Sequence, residues 1–120
     1  MKITVRVTNS FKSAAKPLLK KFPSLKKDLL KLEKDLLANP KIGTPLGKNV
    51  YKIRVKIASK GKGKSGGARV ISMVETTVIG FAKKSNEDET IVNLLTIFDK
   101  SDTATISDSE LKDLLNSMTF

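Results

Sequence analysis

Six cationic side chains fall within thirteen residues, Lys52, Arg54, Lys56, Lys60, Lys62 and Lys64, and no acid lies among them. The first three alternate with Tyr51, Ile53, Val55 and Ile57. Successive side chains on a β-strand point to opposite faces, so the spacing predicts a strand with one apolar and one cationic face. Lys60, Lys62 and Lys64 share a loop with Gly61, Gly63, Gly66 and Gly67, and Arg69 opens a second apolar run, Ala68 to Val74. The two runs read as a long hairpin with a basic face and a basic tip. Lys100, two residues beyond Phe98, adds a charge at the exit of a later strand. Lys52, Arg54, Lys56, Lys64, Arg69 and Lys100 are expected to converge on one sheet face, with Arg69 at its surface. Such a cluster suits a polyanion, because a bound anion relieves the mutual repulsion of clustered cations. A solvated strand face is the plain alternative, since charged residues also blunt exposed edges.

The chemistry open to these residues is phosphoryl transfer on RNA. Arginine and lysine stabilise the charge of a pentacoordinate phosphate, and crowding by other cations lowers a lysine pKa towards values where it can accept a proton. RNA supplies the nucleophile itself, its 2′-hydroxyl. Other chemistries are narrower. The chain has no histidine and no cysteine, which removes the commonest general base, the thiolate nucleophile and the usual transition-metal ligands. Glu87, Asp88 and Glu89 are adjacent, but they fall in an expected polar turn, 83–90, where a solvated acidic cap is the simpler role. Gly63-Lys64-Ser65 resembles the end of a nucleotide-binding loop. That motif needs glycine at position 58 and a helix after the serine, whereas Ala58 stands there and Gly66-Gly67 follows. Neither a metal nor a cofactor is expected.

These residues must be held by one domain, since 120 residues suffice for one core and not for two. The net charge of +11 is unevenly placed: residues 1–64 hold 18 Lys/Arg against 3 Asp/Glu, and residues 65–120 hold 5 against 9. A strongly basic half points to nucleic acid or a nucleic-acid machine. The opening MKITVRVT has no long apolar core, and no later run approaches a membrane span. A cytoplasmic protein without a membrane partner is expected.

Residues 2–8 alternate and are β-branched, a first strand. Asn9 or Ser10 can cap a helix carrying Phe11, Ala14, Ala15, Leu18, Leu19 and Phe22, with a kink or late start at Pro17. Ser24 is the expected cap of a second helix, Leu25 to Ala38, whose stripe of Leu25, Leu29, Leu32 and Leu36 is widened by Leu30 and Leu37. Asn39-Pro40 ends it, and 42–49 reads as a turn-rich connector. After the central hairpin, Ile91 to Asp99 is nearly continuous in apolar residues, as a strand buried on both faces is. Ser107 and Glu110 make a capping box for a last helix with Leu111, Leu114, Leu115 and Met118 on one face. The order β-α-α-β-β-β-α defines a small α+β domain: a mainly antiparallel sheet, an N-terminal helical hairpin and a C-terminal helix.

The string YKIRVKI…KGKGKSGGARVI, followed by LLTIFDKSD and a terminal helix, resembles the RelE/ParE superfamily of bacterial toxin–antitoxin toxins, closest to its RelE/HigB-like branch. FKSAAKPLLKKFPSLKKDL extends the likeness to the first helical hairpin, so a RelE-like fold is expected over 1–120. The resemblance implies a ribosome-dependent endoribonuclease that cleaves mRNA in the A site to a 2′,3′-cyclic phosphate, needs no metal, and is neutralised by a cognate antitoxin, often with a helix-turn-helix. It puts Lys52, Arg54, Arg69 and Lys100 in the catalytic row, with Arg69 on the scissile phosphate. Lys56, Lys60, Lys62, Lys64 and Phe98 go to RNA or ribosome contact. Relatives often carry tyrosine where Phe98 stands, and others in the last helix. Tyr51 is the only tyrosine here, and it falls on the expected core face, which leaves a lysine to accept the proton. Two other functions compete: a non-catalytic RNA-binding or ribosomal protein, and a ParE-like gyrase toxin, against which the basic row weighs.

Overall fold

The computed structural model describes residues 2–61, 66–78, 88–100 and 105–120. The elements are β1 (Lys2–Val7), α1 (Asn9–Lys21), α2 (Leu25–Ala38), β2 (Thr44–Gly47), β3 (Val50–Val55), a short 3-10 turn at Ala58–Lys60, β4 (Ala68–Val78), β5 (Asp88–Asp99) and α3 (Asp108–Asn116). The five strands form one sheet in the order β1-β5-β4-β3-β2. β1 runs parallel to β5, and every other neighbouring pair is antiparallel. The fold is α+β.

Two apolar clusters sandwich the sheet. On one face Phe11, Ala15 and Leu18 of α1, with Phe22 after it, and Leu25, Leu32 and Leu36 of α2 pack on Ile53, Val55, Val70, Val92, Leu94 and Ile97. On the other, Leu111, Leu114 and Leu115 of α3 and Met118 beyond it pack on Val50, Ile71 and Leu95. The division follows from strand alternation, and β5 feeds both clusters because helices cover it from both sides. A register shift helps. Ile71 faces Thr96 and Ser72 faces Leu94, which leaves Leu95 as an extra residue, so Leu94 and Ile97, three apart, both serve the α1/α2 cluster. Leu30 and Leu37 do not widen the α2 stripe. They are 53% and 45% exposed, on the flank that the sheet does not reach.

Local chemistry explains most element boundaries. The cap of α1 is Thr8, not Asn9 or Ser10: its hydroxyl accepts from Phe11 N at 3.2 Å and donates to the Leu94 carbonyl at 2.8 Å. The helix therefore starts early and runs through Pro17. Ser107 caps α3 by accepting from Glu110 N at 3.1 Å, while its hydroxyl donates to Glu110 Oε1. The segment 42–49 is more than a connector. Thr44–Gly47 pairs with β3, and Lys48 and Asn49, at φ 52° and 63°, form the two-residue turn between them. Two left-handed residues give the turn that matches strand twist, and Pro45 is tolerated because β2 is an edge strand. β5 also starts earlier than its apolar run, at Asp88, so 88–90 belong to the strand and not to a turn. Residues 79–87, including Glu87 and the expected reach of β4 to Phe81, lie outside the described residues.

A candidate anion-binding row on the central strands

The hairpin register puts Arg54 of β3 directly opposite Arg69 of β4. Arg69 in turn lies opposite Phe98 of β5. One row across three strands thus reads Arg54, Arg69, Phe98. The next row reads Lys52, Ile71, Thr96. Alternation places all six on the face that α3 covers in part, since Ile71 and Phe98 belong to the α3 cluster. This end of the sheet is where the cationic side chains of two strands meet.

The loop end of the hairpin is held by backbone contact. A Cβ at Gly67 would lie 2.1 Å from the Val55 carbonyl oxygen, so only glycine lets the strands close there. The Gly67 carbonyl accepts from Lys100 N at 3.2 Å, which sets Lys100, one residue past β5, against the same corner. At the outer edge, Lys52, Arg54 and Lys56 help to line a cleft of about 790 Å³ between β3 and α2, whose α2 wall carries Asp28, Lys31 and Asp35. Beside Phe98, Thr96 and the α3 carboxylates Glu110 and Asp113 line a smaller recess of about 330 Å³. Glu110 reads in the sequence only as a helix cap, and nothing in the local pattern brings it to this recess.

The expectation that Arg69 is a surface residue is corrected: it is 3% exposed. β4 is the middle strand of five, so Arg69 is flanked by Arg54 on one side and Phe98 on the other. Its Nη1 donates to the Ala68 carbonyl at 3.1 Å. Burial first, and then the Arg54 charge, push its pKa below the usual arginine value. Both effects disfavour the cation, and the attraction of a bound anion would offset them. Arg54 itself is exposed, while Lys52 and Phe98 are half-buried. The row is a deep cation beside an accessible one.

Lys60 does not join the row. Its ammonium lies 2.8 Å from Asp99 Oδ1, with the two side chains only 12% and 1% exposed, and 5.4 Å from the Phe22 ring. Asp99 pairs in register with Ala68, a residue of the α1/α2 cluster, so this ion pair belongs to the opposite face. The 3-10 turn that carries Lys60 is anchored to the start of α2. Asp28 Oδ2 accepts from Ala58 N at 3.2 Å, and Ser24 Oγ accepts from Ser59 N at 2.8 Å. Ser24 thus binds the turn and makes no capping bond to its own helix. Lys62 and Lys64 lie outside the described residues.

No protein-family model matches the chain, and no curated protein matches it significantly.

Proposed function

We propose that this chain is a ribosome-dependent endoribonuclease toxin of the RelE/HigB-like kind, cleaving mRNA in the A site and held in check by a cognate antitoxin. The observation that carries the reading is the pair Arg54–Arg69, placed face to face across β3 and β4 beside Phe98. In this reading the two guanidiniums hold the non-bridging oxygens of the scissile phosphate, and their fork geometry suits that task. Phe98 stacks on a base, and Lys100 adds positive charge around the phosphate. The 2′-oxygen loses its proton to the amine of Lys52, in the next row on the same face, and attacks phosphorus. The O2′–P bond forms, the P–O5′ bond breaks, and the 5′-oxygen takes up a proton. The products are a 2′,3′-cyclic phosphate and a 5′-hydroxyl. Charge stabilisation by the arginines is the largest contribution asked of the protein; the ribosome and base pairing position the RNA.

A second reading, a non-catalytic RNA-binding or ribosome-associated protein, is favoured by Phe98, which has no proton to give or take. One experiment separates the two. The purified protein is added to programmed ribosomes and to the same mRNA alone, and the 5′ ends are mapped. Cleavage only on ribosomes supports the toxin. Tight binding with intact mRNA moves the second reading to first place. Growth arrest in cells with intact mRNA and inhibited gyrase would favour a ParE-like toxin.

A further inference from the structure

On the face of the molecule away from the arginine row, α1 and α2 leave a groove of about 490 Å³. Its floor is apolar: Phe11, Ala15, Leu19 and Leu29 line it, and Leu19 is 42% exposed. Along one rim stand Lys12, Lys16 and Lys20, a file at every fourth position. One helical repeat of four residues rises about 6 Å, so the three ammonium groups form an evenly spaced row about 12 Å long. α1 contains no acid at all. Among the described residues none of the three lysines is in an ion pair. An exposed apolar trough with an unneutralised, regularly spaced cationic rim is half of a complementary surface.

We propose that this groove docks an acidic amphipathic helix of a partner protein. Carboxylates three to four residues apart on such a helix lie on one face and match the Lys12–Lys16–Lys20 spacing, and its neighbouring apolar stripe enters the trough at Leu19 and Leu29. Helix-in-groove recognition of this kind takes its affinity from the apolar anchors; the rim charges set orientation and on-rate. RNA does not suit the trough, because Phe11, its one aromatic, is only 5% exposed and the accessible floor at Leu19 is aliphatic, where a nucleic acid wants polar and stacking partners. The proposal does not depend on the RNA-cleavage reading, since the groove and the arginine row lie on opposite faces of the sheet.

The test is an NMR titration of the isotope-labelled full chain with a synthetic helical peptide carrying Glu at every fourth position beside a leucine stripe. The expected result is amide shifts confined to residues 11–20 and around Leu29. The Glu→Gln version of the peptide should bind at least about tenfold more weakly, and Lys16→Glu in the protein should weaken the original by about as much. Leu19→Ser should do the same without altering sheet resonances; both altered side chains are exposed, so the fold survives. Equal binding of the Gln peptide, or shifts elsewhere, overturns the proposal. So does a poly-uridine oligonucleotide that shifts the α1 resonances where the peptide does not, which would assign the rim to RNA. Concentration-dependent dimerisation abolished by Leu19→Ser would assign the trough to a second copy and overturn it equally.

Discussion

Arg54 and Arg69 carry the same charge but stand in different surroundings, and the proposed function makes separable demands on them. Arg54 is exposed, so Arg54→Ala should keep the fold, with an unfolding midpoint no lower than wild type because it removes the repulsion on Arg69, while lowering single-turnover cleavage by about 10²–10³-fold, the usual loss for one transition-state donor. A wild-type rate in that variant would remove Arg54 from the site. Arg69 is buried, so truncation to alanine would confuse function with packing, and Arg69→Lys is the cleaner change. It keeps a charge and loses the planar fork; a comparable fall in rate is expected. Burial and the Arg54 charge hold the folded pKa of Arg69 below its unfolded value. For a base this direction means that the penalty is fully present below the folded pKa and is lifted as pH rises towards the unfolded one. A phosphate bound between the arginines lifts the same penalty at neutral pH. Inorganic phosphate at ten times its Kd should stabilise the wild type by about 1.4 kcal/mol and the Arg54→Ala variant by measurably less. Equal stabilisation would place the anion elsewhere. Phe98→Tyr would set a hydroxyl at the recess lined by Glu110 and Asp113. A rate increase near the low end of acid–base assistance, about 10²-fold or below, is expected under single turnover, and no increase would exclude a missing tyrosine as the limit on rate.

At the scale of elements, two tertiary ties hold the hairpin in place. Gly67→Ala would force a Cβ into the Val55 carbonyl, and because backbone cannot step aside as a side chain does, a loss of about 3 kcal/mol or more is expected in urea unfolding. Lys60→Met should cost on the order of 3 kcal/mol by leaving the Asp99 carboxylate buried without its ammonium; a small effect would show that the pair is structurally idle. These ties also mark where the sequence stopped being readable. The alternation of β3, the apolar run of β5, the Leu25–Leu32–Leu36 stripe and the Ser107 cap are local signals, and each led to an element of the right kind. β2 was missed because Gly43, Pro45 and Gly47 argue locally against a strand, and its pairing depends on a turn at Lys48-Asn49. That Arg54 and Arg69 share a sheet face follows from the hairpin and the alternation; their direct opposition depends on the register of the two strands, which no local signal sets. The burial of Arg69 does not follow either, because it depends on β5 filling the far side of β4. Lys60 looked like its loop neighbours, and its partner lies 39 residues away.

For the whole molecule, the excess of positive charge in residues 1–64 would make the proposed attachment to the ribosome a counterion-release process. The logarithm of affinity should fall linearly with log salt, by about 0.7 per single-strand phosphate contact. Because Lys60 is occupied by Asp99, altering Lys62 and Lys64 alone should flatten the slope as much as altering all three; a further flattening on adding Lys60 would show that its ion pair opens on RNA. The sheet order has another consequence, for the protein's own synthesis. β1 is made well before β5, its one partner among the described residues, Lys2 pairing opposite Glu89 through Val7 opposite Leu94. At about 5–20 residues per second, β1 waits roughly 5–20 s for its partner to be made. Thr8, which caps α1 while gripping the Leu94 carbonyl, waits with it. This edge of the sheet can therefore close only once β5 has been made, and a nascent chain that stops short of β5 leaves β1 without its partner.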